Sequence, residues 1–181
     1  GRVPDLVRIV VAVDPSGTSG AGGTAGDDVG IVVAGLGVDG RYYVLADYSC
    51  NLSPKGWGQR AVDAFHEWKA DRIVAETNFG GAMVQHVIRT VDPKVPFREV
   101  KASRGKIARA EPVSALYEPE PGELCGKVSH VGTFPDLEDQ MCAMTSIGFI
   151  GEGSPDRADA LVWAITELSG KTRKEPNARR L

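Results

Sequence analysis

Val7-Arg8-Ile9-Val10-Val11-Ala12-Val13-Asp14 decides the reading of this chain. Apart from Arg8 the run is apolar at successive positions. Alternating polarity marks a strand with one face in water; a continuous apolar run marks one buried on both faces, in the middle of a sheet. It ends on a carboxylate. An acid there is costly unless it is paired, hydrogen-bonded or bound to a metal. A turn-capping role at Asp14-Pro15 is the bland alternative.

Working outward, Ser16 to Gly26 is glycine-rich and reads as a loop. Gly20-Ala21-Gly22-Gly23-Thr24-Ala25 formally matches a dinucleotide-binding pattern. The segment after it reads as a strand rather than the helix that would sit beneath a pyrophosphate, and no Gly-Lys-Ser/Thr follows the glycines at Walker A spacing. Val29 to Val38 and Arg41 to Tyr48 read as strands flanking Asp39-Gly40, a type I′ hairpin signal. Ser53-Pro54 reads as a cap and first-turn proline, with Trp57, Ala61, Phe65 and Trp68 as the helical stripe behind it.

Ile73 to Glu76 reads as a short strand and Met83 to Val91 as a helix. Phe97 to Lys101 reads as a strand, and Ile107 to Leu116 as a helix that Pro112 should bend. Leu124 to Val131 suggests a strand and Leu137 to Met144 a short helix. Ser154-Pro155 repeats the cap signal before a final helix ended by Gly170, and 171–181 reads as a basic, disordered tail. The expected architecture is α/β, with a mixed central sheet flanked by helices. An antiparallel meander comes first, then helix-connected parallel strands. The expected domain spans 1–170.

The 181 residues suffice for one core, and the formal charge of −3 is unusual for a nucleic-acid protein. That objection weakens if several carboxylates hold metal and positive charge is local. Cys50, Cys125 and Cys142 lack a CxxC pair and read as free thiols. No apolar run approaches the ~20 residues needed to cross a bilayer, so no membrane partner is expected. His66, His86 and His130 lack metal-site spacing and read as structural. Ser16, Ser19 and Ser103 lack a nucleophile-elbow context.

Glu76 ends a second apolar strand, Ile73-Val74-Ala75. Parallel neighbours lie ~4.8 Å apart, so Asp14 and Glu76 at adjacent strand ends could share an ion. Asp159 stands at the edge of the last helix's apolar face, and Asp156 points the same way three residues earlier. Carboxylates so arranged make an oxygen-rich site suited to Mg²⁺ or Mn²⁺. Lys101, Arg104, Lys106 and Arg109 form a basic run with no acid among them. Cations at a helix start oppose its dipole, so phosphate contact supplies a better reason for them.

Four segments together resemble the nuclease domain of the large terminase subunit of tailed bacteriophages. They are Ile9 to Ser16, Ala75 to Gly81, Arg109-Ala110-Glu111-Pro112-Val113 and, most specifically, Ser154 to Ala164. Leu137 to Met141 adds support, and the likeness runs from about Val7 to Gly170. The resemblance implies an RNase H-like fold and an endonuclease that cuts double-stranded phage DNA during genome packaging. It places Asp14, Glu76 and Asp159 at an acidic metal-binding triad serving two Mg²⁺ or Mn²⁺ ions, with Asp156 auxiliary. It implies as partners an ATPase motor domain, the portal and the small terminase subunit, in the host-cell cytoplasm. No Walker motif precedes the first strand, so the nuclease module alone is expected here. A RuvC-like Holliday-junction resolvase and a non-catalytic docking module of the packaging motor are the alternatives.

Overall fold

The computed structural model describes residues 3–15, 28–76, 81–101 and 105–170. The quoted run becomes β1 (Leu6–Pro15). It lies inside a six-stranded sheet with β2 (Val29–Gly37), β3 (Tyr42–Asp47), β4 (Arg72–Glu76), β5 (Phe97–Val100) and β6 (Val128–His130), in the order β5-β4-β1-β2-β3-β6. β1, β2 and β3 form the antiparallel meander, while β4 runs parallel to β1, β5 to β4 and β6 to β3. Helices α1 (Pro54–Glu67) and α2 (Gly81–Val91) precede β4 and β5; α3 (Lys106–Ala115) and α4 (Pro135–Cys142) flank β6; α5 (Asp156–Ser169) ends the fold.

Both faces of β1 are covered, which explains its unbroken apolar run. Ile9, Val11 and Val13 pack with α1 and α2 in one core layer. Val10 and Ala12 pack with Val32, Ala34, Val74 and helices α3, α4 and α5 in the other. Since side chains alternate along a strand, even-numbered positions of β1, β2 and β4 face α5. Asp14, Gly30 and Glu76 share that parity.

The mixed α/β architecture is as expected, α3 with Pro112 inside it included, and there are three local differences. Between β2 and β3 the only positive φ belongs to Gly40, at 76°, whereas a type I′ turn needs two. Gly40 N–H bonds Gly37 C=O at 3.0 Å, closing a longer hairpin loop. Of the expected strand from Leu124 to Val131 only Val128–His130 pairs, because only Tyr42–Val44 offers it an edge. Two-residue strands β7 (Met144–Thr145) and β8 (Gly148–Phe149) form an unforeseen hairpin between α4 and α5. The glycine-rich stretch and the basic tail lie outside the described residues.

Candidate metal centre

Parallel register brings the first two acids together. Val13 is the last residue of β1 paired with β4, opposite Ala75, so Asp14 and Glu76 each stand one residue beyond that pair. Alternation turns both toward α5. Asp14 pairs across the other side with Gly30 of β2. A Cβ on Gly30 would lie 2.0 Å from the Asp156 carbonyl oxygen. Only a bare backbone lets the first turn of α5 sit on β2 directly beside Asp14. That turn delivers Asp156 and Asp159, 2% and 5% exposed.

A helix N-terminus favours acids, but an exposed dipole contact is worth only about 0.3–1 kcal/mol, too little to offset burying two carboxylates beside a third. Cations from α3 supply part of the difference. Lys106 Nζ donates to Asp159 Oδ2 at 2.6 Å. Arg109 Nη1 donates to Glu76 Oε1 at 3.1 Å, with its guanidinium 4.6 Å from the Trp163 ring centroid. Spaced i, i+3, the two reach from one helix face into one cluster.

Among the described residues, four carboxylates against two cations formally leave two negative charges in excess. The electrostatics of Asp14 registers this. Burial, then the fields of Asp159 and Asp156, push its carboxyl up to about 8; Lys106 works against the shift and Glu76 adds to it. For Lys106 burial disfavours the charge, but its hydrogen bond to Asp159 and the fields of Asp159, Asp14 and Asp156 outweigh burial and hold the ammonium above its ordinary range.

This donor set is all oxygen and anionic, which suits a hard divalent ion such as Mg²⁺ or Mn²⁺ and not a soft one. Among the described residues, no three acid, histidine or cysteine side chains are gathered closely enough to hold one ion. The carboxylates form a cluster partly occupied by Lys106 and Arg109 rather than a finished coordination shell.

The basic run divides. Lys106 and Arg109 turn inward to the acids, and the Arg109 side chain is only 14% exposed. Lys101 is exposed just past β5, and Arg104 lies outside the described residues. Among the histidines, His66 pairs with Asp92 at 3.0 Å and His130 with Glu138 at 2.9 Å, away from the cluster.

Three residues of the site's frame escaped the sequence reading. Gly30 carried a usable signal, a lone glycine inside an apolar strand, which suggests close backbone approach. Gln140, whose side chain accepts from the backbone of α5, carried none. Nor did Arg157, which pairs with Asp47 at 2.9 Å and Asp136 at 3.5 Å.

Comparison with known proteins fits this geometry. No curated protein matches the sequence. Among solved structures, a mutant nuclease domain of the large terminase subunit gp2 of bacterial virus Sf6, with manganese and β-thujaplicinol, aligns at TM-score 0.59 and 15% identity. That alignment covers 91% of this chain and 89% of the other. The large terminase nuclease from thermophilic phage G20c aligns at TM-score 0.56 and 13% identity, covering 91% and 92%. RuvC of T. thermophilus, in complex with a Holliday junction substrate, aligns at only 0.46 with 14% identity, over 87% and 91%, too low to bear on the choice. The two terminase likenesses establish the RNase H-like fold. The model of one sequence family, described as Terminase RNaseH-like domain, matches residues 11–168, and the chain belongs to that family.

Proposed function

We propose that this domain is a divalent-metal-dependent endonuclease that cuts double-stranded DNA during phage genome packaging. Family membership supports a nuclease of the RNase H-like superfamily. The observation that carries the finer reading is the gathering of Asp14, Glu76, Asp156 and Asp159, from two strand ends and one helix, with fewer cations than acids among the described residues. Asp14, Glu76 and Asp159 are the residues that would hold Mg²⁺ or Mn²⁺, with Asp156 beside them as support. A pair of such ions, when bound, supplies an acidified water and offsets charge on the leaving oxygen.

The chain's own groups do the rest. Arg109, stacked on Trp163, fixes the orientation of Glu76. Lys106 stands at the rim, where its ammonium can meet a phosphate oxygen. Lys101, with Arg104, supplies contact to the DNA backbone, which an acidic domain needs locally. The partners in this reading are an ATPase motor domain, the portal and the small terminase subunit, and the setting is the host-cell cytoplasm.

Plasmid cleavage with Mg²⁺, Mn²⁺ or EDTA tests the chemistry. Wild type should nick and linearise DNA with either metal. Asp14→Ala, still folded, should fall to background, and cleavage persisting in EDTA would sink the reading. For the DNA contact, Lys101→Ala should flatten log affinity against log salt by about 0.9 on duplex DNA. An unchanged slope would remove Lys101 from the interface.

A further inference from the structure

The first turn of α5 carries two of the four acids, yet nothing next to it in sequence caps it. Pro155 holds the capping position and no side-chain cap bond is made from it. Ser154, expected as the cap, contributes its carbonyl oxygen to Asp156 N–H instead. The cap arrives from another helix. Gln140 Oε1, on α4, accepts from Arg157 N–H at 2.9 Å and Ala158 N–H at 3.2 Å. These are the second and third helical positions, whose amides a capping side chain ordinarily satisfies. They are also the two residues between Asp156 and Asp159.

We infer that Gln140 is a positioning residue for the metal centre, holding the Asp156–Asp159 turn against the sheet by capping α5 from outside. This rests on reading the cluster as a metal centre. Asp156 and Asp159 repel each other and Asp14, and repulsion within a helix's first turn is relieved by fraying it. Gly30 and Gln140 oppose this from two sides. The glycine lets the turn approach β2, and the amide oxygen keeps its N–H groups satisfied in the helical arrangement. α4 is anchored for the task, with Leu137 in the core and Glu138 bonded to His130 at 2.9 Å. An uncharged acceptor also caps without adding a fifth negative charge to the cluster.

The test compares the whole chain with Gln140→Met, which keeps length and loses the acceptor, and Gln140→Glu, which keeps an oxygen. Amide exchange at Arg157 and Ala158 reads the cap, and Mn²⁺ titration followed by electron paramagnetic resonance reads the site. Gln140→Met should lose protection at both amides and bind Mn²⁺ about 10–100-fold more weakly. Gln140→Glu should regain the protection and most of the affinity. Leu168→Ala, in the core at the far end of α5, should lower the melting temperature without changing Mn²⁺ affinity. If Gln140→Met does not fold, Gln140→Asn, one methylene short of the amides, takes its place with the same expectation.

Amides that stay protected in Gln140→Met, or wild-type Mn²⁺ affinity with those amides exposed, would overturn the inference. So would a Leu168→Ala variant that weakens Mn²⁺ as much, since the effect would then be general destabilisation. Wild type that binds no Mn²⁺ would overturn the metal-centre reading itself, and this inference with it.

Discussion

The two ends of α5 bury acids on the same sheet and treat them in opposite ways. Near its C-terminus a single carboxylate, Glu167, faces Arg8 of β1 at 3.5 Å, Arg72 of β4 at 3.3 Å and Arg98 of β5 at 3.2 Å. Near its N-terminus, among the described residues, four carboxylates face two cations. β1 and β4 supply residues to both ends, Arg8 and Asp14 from one, Arg72 and Glu76 from the other. Formally one end has two positive charges in excess and the other two negative. The surplus arginines need no further partner, because the Arg98 and Arg72 side chains, 58% and 35% exposed, reach water. The surplus acids have less access to water, with Asp156 and Asp159 buried. Buried charge alone therefore does not mark a functional site. What sets the acid end apart is that, among the described residues, its acids outnumber its cations.

Glu167→Gln tests the arginine end, where the largest effect is expected. Three guanidinium groups would lose their shared carboxylate, at a cost of about 2–4 kcal/mol, tempered by the exposure of Arg72 and Arg98. Denaturant melts should show that loss, while Mn²⁺ affinity of the folded fraction stays at the wild-type value. Unchanged stability would mean that the two ends are not opposites.

Gly30→Ala is expected to act on both properties. The added methyl forces the first turn of α5 off β2, costing roughly 1–3 kcal/mol as overpacking does. It should also weaken Mn²⁺ binding, because Asp156 and Asp159 move with the turn. A destabilised variant with wild-type Mn²⁺ affinity would separate the packing from the site.

The third test concerns pH in EDTA. With its folded value near 8 against an ordinary 3.8, Asp14 keeps a proton that the unfolded chain has lost throughout that interval. Its contribution to stability therefore falls as pH rises from about 4 to about 8 and levels off above. Asp14→Asn removes that slope. Its melting temperature should rise relative to wild type as pH goes from 5 to 8.5. A constant difference across that range would show that the acid end carries no strain from like charges.

Much of this was legible in the sequence because it is local. Asp14 and Glu76 each close an apolar run, and alternation along a strand assigns them a face without any coordinates. Asp159 shows at the margin of a helical stripe for the same reason. What escaped depends on contacts between distant elements. Ser154 looks like a cap by position, yet the acceptor belongs to Gln140, and nothing local to Gln140 announces it. Arg109 reads as surface charge in a basic run, and only the packing of α3 on α5 reveals it stacked on Trp163. Strands β7 and β8, two residues each, are too short to establish any alternation.

The ion pair between Arg8 and Glu167 also joins the first strand to the last helix. The described fold thus begins and ends at its arginine end, one length of β1 from the acids. For protein engineering this amounts to a handle. A tether, fluorophore or fused domain attached before Leu6 or after Ser169 emerges on the side remote from the carboxylates. The same closeness suits the described fold to circular permutation, with a linker joining the end of α5 to the start of β1 and new ends opened in the Val38–Arg41 turn.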